Sequence, residues 1–128
     1  MAASSFTSVS LDPPLVSVCV ARTSTTWPML ITATRIGLSV LADSRLSLAR
    51  ALAAKVGDRF ADVRWERTPG GAVFVHGSTL WLECAIHDVV PAGDHDIVLL
   101  RVEHLQSSPD IAPMVFHGST FRSLAPTP

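Results

Sequence analysis

Ser4–Val20 reads SSFTSVSLDPPLVSVCV. The stretch is strand, turn, strand. A first strand is expected over Met1–Ser10, running into Leu11, with Phe6, Val9 and Leu11 set among small hydroxyl residues. Asp12-Pro13-Pro14 interrupts it, because proline fixes φ and has no N–H to give a ladder. Leu15–Ala21 is a second run, rich in β-branched residues. Ser4, Ser5, Thr7, Ser8 and Ser10 are too short to fill a core. They can form the wet face of an edge strand, or a polar rim for a flat ligand or a phosphate.

Outward from this hairpin, Ala21-Arg22-Thr23-Ser24-Thr25-Thr26-Trp27-Pro28 crowds hydroxyls and one arginine into a loop at a strand end. A phosphate needs that combination of a fixed cation and several donors. The same residues also make an ordinary polar turn, with Thr26 as N-cap and Pro28 early in a short helix over 27–34. Trp27 either sits near a ligand or closes the end of the fold. Arg35–Leu41 is a strand. Ser44–Ala54 has helical spacing of Leu46, Leu48, Ala49, Leu52 and Ala53, with Ser44 as cap and Lys55 and Gly57 at its end. Ala61–Gly71 reads as a loop containing Trp65, closed by the turn Pro69-Gly70-Gly71. Ala72–Val75 is a short strand and Ser78–Val90 a long one. Strict alternation in the long strand puts Leu80, Leu82, Cys84, Ile86 and Asp88 on one face. Trp81, Glu83, Ala85, His87 and Val89 fall on the other.

Pro91–Asp96 is a hairpin turn into the strand Ile97–Leu105, and it carries Gly93-Asp94-His95. His95 can be a half-buried structural histidine or a ligand donor; an unperturbed imidazole changes charge near neutrality, at a pKa of ~6.5. Asp94 can orient it or simply stabilise the turn. Met114–Phe116 and Ser119–Leu124 form the last strand pair, around His117-Gly118. Phe116 and Phe121 are candidates for stacking or for core.

With 128 residues, one domain is expected. The chain is 48% hydrophobic and 16% charged, with net charge −1, which argues against a nucleic-acid binder with its basic stripe. Low charge with high apolar content points to a partner subunit covering apolar surface. Cys19 and Cys84 lie in strands and read as buried free thiols. No C-x-x-C pair marks a metal site. No G-x-G-x-x-G follows a strand, against a Rossmann dinucleotide site. The first residues have neither a basic nor an apolar signal region, and no run approaches the roughly 18 apolar residues of a membrane span. A cytoplasmic location is the expectation. Many short strands with one clear helix predict a β-barrel with a small helical cap.

SSFTSVSLDPPLVSVCVARTSTTW, the Gly93-Asp94-His95 motif and the closing FHGSTF of residues 116–121 together resemble the flavin reductase family of the FMN-binding split-barrel fold. These are the reductase partners of two-component flavin monooxygenases. The resemblance implies a mainly β Greek-key split barrel with one or two short helices, working as a homodimer with flavin near the subunit interface. It implies FMN (or FAD) as cofactor and NADH or NADPH as hydride donor. Ala3, Ser4 and Ser5 would border the isoalloxazine ring. Val20 and Ala21 would line the flavin, and Arg22, Ser24, Thr26, Lys55 and Arg59 would serve its phosphate end and tail. His95 would border the face shared with the nicotinamide, and Phe116, Gly118 and Phe121 would approach the nicotinamide nucleotide. Family members carry a further segment before the first motif, so 1–128 reads as a single, N-terminally shortened domain.

The implied activity is reduction of flavin by NAD(P)H, with reduced flavin passed to a partner oxygenase. The alternative is a non-catalytic flavin-binding or flavin-carrier protein of the same fold. A third reading, an unrelated β-barrel interaction domain, predicts no flavin binding.

Overall fold

Val16, Val18 and Val20 are buried while Leu15, Ser17 and Cys19 between them are half-buried. This is the period-2 pattern of a strand with its better-covered face on a core. The computed structural model describes every residue of 1–128 except Ser4, Lys55, Val56, Arg59, Pro126 and Pro128. In it the opening hairpin is β1 (Thr7–Leu11) and β2 (Pro14–Ala21), joined at Asp12-Pro13. β1 is shorter than the Met1–Ser10 expected. It is the edge of a five-stranded antiparallel sheet, and Phe6, Val9 and Leu11 are exposed.

The rest of the sheet comes from β3 (Ile36–Val40), β6 (Leu80–Ala92) and β7 (His95–Ser107), in the order β1-β2-β7-β6-β3. Val16 pairs with Leu100 and Val18 with Val98 across β2 and β7. These residues, with Val20, Trp27, Ile36, Leu82 and Cys84, form the main core. Burial pushes the Cys84 thiol up to about 12, helped by the nearby carboxylates of Glu103 and Glu83. Cys84 is therefore an inert core residue; Cys19 is also free, but half-buried rather than buried.

Two irregularities break the β6–β7 ladder: Glu103 is the extra residue on β7 opposite Glu83 and Cys84, and His87 the extra residue on β6 between Ile86 and Asp88. The extra residue His87 shifts the alternation of β6 beyond Ile86. Val89, expected on the face opposite Leu82, therefore packs against the main core.

Two hairpins and two helices complete the fold. β4 (Trp65–Arg67) pairs with β5 (Val73–Val75), so the loop expected over 61–71 contains a strand. β5 crosses β3 so closely that a Cβ at Gly37 would run into the Val73 carbonyl oxygen. α2 (Leu46–Ala53) buries Leu48, Ala49 and Leu52 and builds a second core with Val75. Its N-cap is Arg45, not Ser44, and Leu46 and Ala53 stay exposed. With a first turn held by tertiary packing, a capping hydroxyl is dispensable. α1 (Trp27–Leu30) is one turn, shorter than the 27–34 expected. The last hairpin is β8 (Met114–His117) and β9 (Thr120–Ser123). Its turn falls at Gly118-Ser119, both at positive φ as a type I′ turn requires. The described residues are mainly β with two short helices, within the one or two expected.

Candidate functional site

The ladder between β2 and β7 brings two separated stretches of sequence together. Ala21 pairs with His95 and Val20 with Asp96. One residue on, the Arg22 N–H donates to the Asp94 carbonyl at 3.0 Å. The Arg22 guanidinium then reaches the Asp96 carboxylate at 3.3 Å. The loop after β2 and the β6–β7 turn thus form one end of the sheet.

The turn is tight. Ala92 pairs with His95, leaving only Gly93 and Asp94 between the strands. Gly93 has φ +64, which a two-residue hairpin of type II′ asks of its first central residue. His95 Nδ1 lies 2.7 Å from Asp94 Oδ1. An ionised carboxylate only accepts, so in the neutral imidazole the proton sits on Nδ1 and Nε2 is left for a ligand. The hydrogen bond from His95 and its charge hold the Asp94 carboxyl below the usual carboxylate range.

Ser24 is engaged as well. Its N–H donates to the Ala21 carbonyl, and its Oγ accepts from Trp27 N–H at 3.1 Å. Thr26 occupies the N-cap position of α1 without a capping side-chain bond; Ser24 supplies that bond instead. The Ser24 hydroxyl proton is left over as a donor. Trp27 is in the main core, so it closes this end of the fold. Ser5 Oγ accepts from Cys19 N–H at 2.9 Å and donates to the Cys19 carbonyl. Its hydroxyl ties the segment before β1 onto β2, near Val20 and Ala21. Ala3 is exposed. Ser4, Lys55 and Arg59 lie outside the described residues.

Fitness for an anionic flavin can be judged on these groups. Arg22 is half-exposed and, among the described residues, keeps most of its five donors beyond the side-chain contact to Asp96. Together with the Ser24 hydroxyl it offers the cation and donor that a phosphate needs. Asp96, which holds Arg22, is the residue sequence reading missed. Its relation to Arg22 depends on a cross-strand register that no local motif encodes.

The aromatic candidates are elsewhere. Phe116 and Phe121 face each other across β8 and β9, rings 5.2 Å apart and tilted by 58°. Neither is in a core cluster, and Phe116 is 47% exposed. The hairpin is attached where Met114 N–H donates to the Leu41 carbonyl and Ala42 bridges Pro113. That attachment is beside Val40, Leu80 and Ser107, at the end of the β6–β7 ladder away from His95. Twelve strand steps separate Ser107 from His95, up to roughly 40 Å along the strand. Phe121, Arg122, Met114, Asp43 and Leu46 line a cleft of about 150 Å³ there. A second cleft of about 170 Å³ lies between His76, Trp81 and Gln106. Neither cleft is lined by Arg22 or His95.

Known proteins share this sequence and fold. The model of the flavin reductase like domain matches residues 1–125. The stachydrine N-demethylase reductase subunit Stc3 of Rhizobium meliloti (strain 1021) is 41% identical over 106 residues, covering 83% of this chain and 46% of that protein. The chain thus spans less than half of that relative's length. A flavin reductase of Pseudomonas putida is 35% identical over 125 residues, covering 98% of this chain and 74% of its own. Among solved structures, the NADH:FAD oxidoreductase SgcE6 of Streptomyces globisporus C-1027, in complex with NAD and FAD fragments, superposes with a TM-score of 0.92 at 38% identity, covering 98% of this chain and 77% of that one. BorF, the flavin reductase component of a bacterial two-component tryptophan halogenase, superposes with a TM-score of 0.89 at 33% identity, covering 99% and 82%. No helix among the described residues is long and apolar enough to cross a membrane.

Proposed function

The chain belongs to the flavin reductase like domain family, and from that premise we propose that it is an NAD(P)H:flavin oxidoreductase. It reduces FMN (or FAD) and supplies reduced flavin to a partner monooxygenase in the cytoplasm. The observation that carries this reading is the meeting of Arg22 and Ser24 with the Gly93-Asp94-His95 turn at one end of the β2–β7 ladder.

Bound flavin and nicotinamide nucleotide supply the hydride chemistry; the protein supplies position and electrostatics. Arg22 and Ser24 hold the flavin phosphate, with Thr26, Lys55 and Arg59 assigned to the same end. Ala3, Ser4, Ser5, Val20 and Ala21 border the ring. His95, its Nδ1–H given to Asp94, presents Nε2 to flavin or nicotinamide, accepting from an N–H when the ring is neutral and donating to a carbonyl oxygen when both nitrogens carry protons. Phe116, Gly118 and Phe121 meet the nicotinamide nucleotide. Because Phe116 and Phe121 are attached at the far end of β6–β7, they and His95 enter one site when two copies of the chain pair. This supports a homodimer.

The test is a flavin titration of the purified protein followed by absorbance at the NADH band, wild type beside His95→Ala. Flavin binding with NADH consumption, slowed by the substitution more than binding is weakened, is the expected result. Absence of flavin binding overturns the reading. Tight flavin binding without turnover would instead identify a flavin carrier.

A further inference from the structure

The β6–β7 turn delivers more negative charge than a phosphate site calls for. Asp94 and Asp96 flank His95, and both lie against Arg22: Asp94 through its backbone carbonyl, Asp96 through its carboxylate at 3.3 Å. The Asp96 side chain is 23% exposed and that of Arg22 is 50%. The carboxylate is the sheltered partner, seated on the ladder opposite Val20, and the guanidinium is the one that reaches solution. An anion that comes to Arg22 therefore meets a cation already part-neutralised, with a like charge beside it. Two like charges close to one another weaken binding of the second.

We propose that Asp96 sets how firmly the flavin phosphate is held, by competing with it for Arg22; this rests on the flavin reductase reading above. The pair keeps Arg22 ordered between turnovers and lowers its attraction for the phosphate. The consequence is a flavin that binds and leaves, as a substrate does, rather than one retained as a fixed group. Asp96 acts through Arg22 and touches no reacting atom, so it is a specificity and positioning residue.

FMN carries the phosphate and riboflavin lacks it, so the two separate this effect from any general change in the site. Fluorescence titrations of both flavins are made with wild type, Asp96→Asn, Asp96→Ser, Arg22→Ala and the Arg22→Ala/Asp96→Asn double variant, each checked for folding by thermal melting. Loss of one partly exposed charge interaction corresponds to about a three- to fivefold change in affinity. Both Asp96 variants are expected to tighten FMN by that factor and leave riboflavin unchanged. The gain is expected to vanish when Arg22 is absent. FMN affinity that stays constant or weakens in the Asp96 variants, or riboflavin affinity that rises in parallel, overturns the inference alone. Wild-type protein that binds neither flavin overturns the flavin reductase reading and the inference with it.

Discussion

The two ends of the β6–β7 pair are built differently. At the Gly93–His95 end, position follows from a continuous ladder: seven consecutive pairs join β2 to β7, from Leu15↔Arg101 to Ala21↔His95. Arg22, Asp94 and Asp96 are held by that register and by the hydrogen bond and ion pair that extend it. At the other end, β8 and β9 form a separate two-stranded sheet, attached through Leu41, Ala42 and Asp43. Phe116 and Phe121 pack on each other there, outside the core clusters. A charge constellation needs fixed backbone, because hydrogen-bond and ion-pair energies fall steeply with misplacement. A stacking platform tolerates some movement, since aromatic contact is spread over a broad face. The difference suits the roles proposed above, flavin at the fixed end and nicotinamide nucleotide at the adjustable one.

The largest expected effect falls on the fixed end. His95→Ala should lower the rate of NADH oxidation by roughly 10²-fold, the usual scale for one positioned acid–base side chain. Flavin affinity should change much less, because Arg22 and Ser24 remain. Stopped-flow reduction at saturating flavin measures this directly. An equal loss of rate in Phe116→Ala would erase the distinction between the two ends.

The turns offer a matched second comparison. Gly93 and Gly118 both have positive φ, at +64 and +58, and neither has a heavy atom near its missing Cβ. Alanine at either site therefore costs backbone strain alone, about 1–2 kcal/mol. In Gly93→Ala the strain falls on the five-stranded sheet and should lower the melting temperature of the whole molecule. In Gly118→Ala it falls on the appended hairpin and should appear mostly as faster hydrogen exchange at β8 and β9. Equal melting shifts would mean that the hairpin is as tightly coupled as the central ladder.

These contrasts also show what the sequence could express. The β2 alternation, a hairpin turn within Pro91–Asp96 and the apolar positions Leu48 and Leu52 follow from local period and turn chemistry; all are present, the turn narrowed to Gly93-Asp94 because Pro91 and Ala92 pair with Asp96 and His95. The extra residue His87 in β6 carries no local signal, and that is why strict alternation puts Val89 on the wrong face. β4 reads as loop in the sequence because Trp-Glu-Arg has no alternation of its own; pairing with β5 makes it a strand. At the site, Arg22, Ser24 and His95 were legible as residue types suited to anions and carbonyl oxygens. That Asp96 holds Arg22, and that Ser24 rather than Thr26 caps α1, depends on contacts made only in the folded chain.

At the adjustable end, Phe121→Leu removes the ring pairing with Phe116 and retains apolar bulk. The edge contribution of such a pair is about 0.5–1.5 kcal/mol. If the ring meets the nicotinamide nucleotide, KM for NADH should rise about three- to tenfold while FMN affinity holds. A parallel fall in FMN affinity would place Phe121 at the flavin instead.

The smallest expected effect belongs to Asp94. His95 holds its carboxyl below the ordinary 3.8. In acid, the unfolded chain therefore takes up this proton before the folded one does. Where the unfolded state binds more protons, stability falls as the pH drops. The contribution is complete above the ordinary carboxylate value and is lost as the pH falls through the depressed one. Because Asp94 is fully exposed, solvent screens the pair and the change is slight. Wild type should melt slightly above Asp94→Asn at pH 5, and the gap should close progressively below about pH 3.8. A gap independent of pH would mean that Asp94 serves the turn through its backbone and shape alone. It would also remove the reason to treat His95 Nδ1 as fixed. The kinetic counterpart sharpens this: Asp94→Asn should shift the pH profile of flavin reduction if the carboxylate sets the tautomer of His95, and lower the rate uniformly if it only shapes the turn.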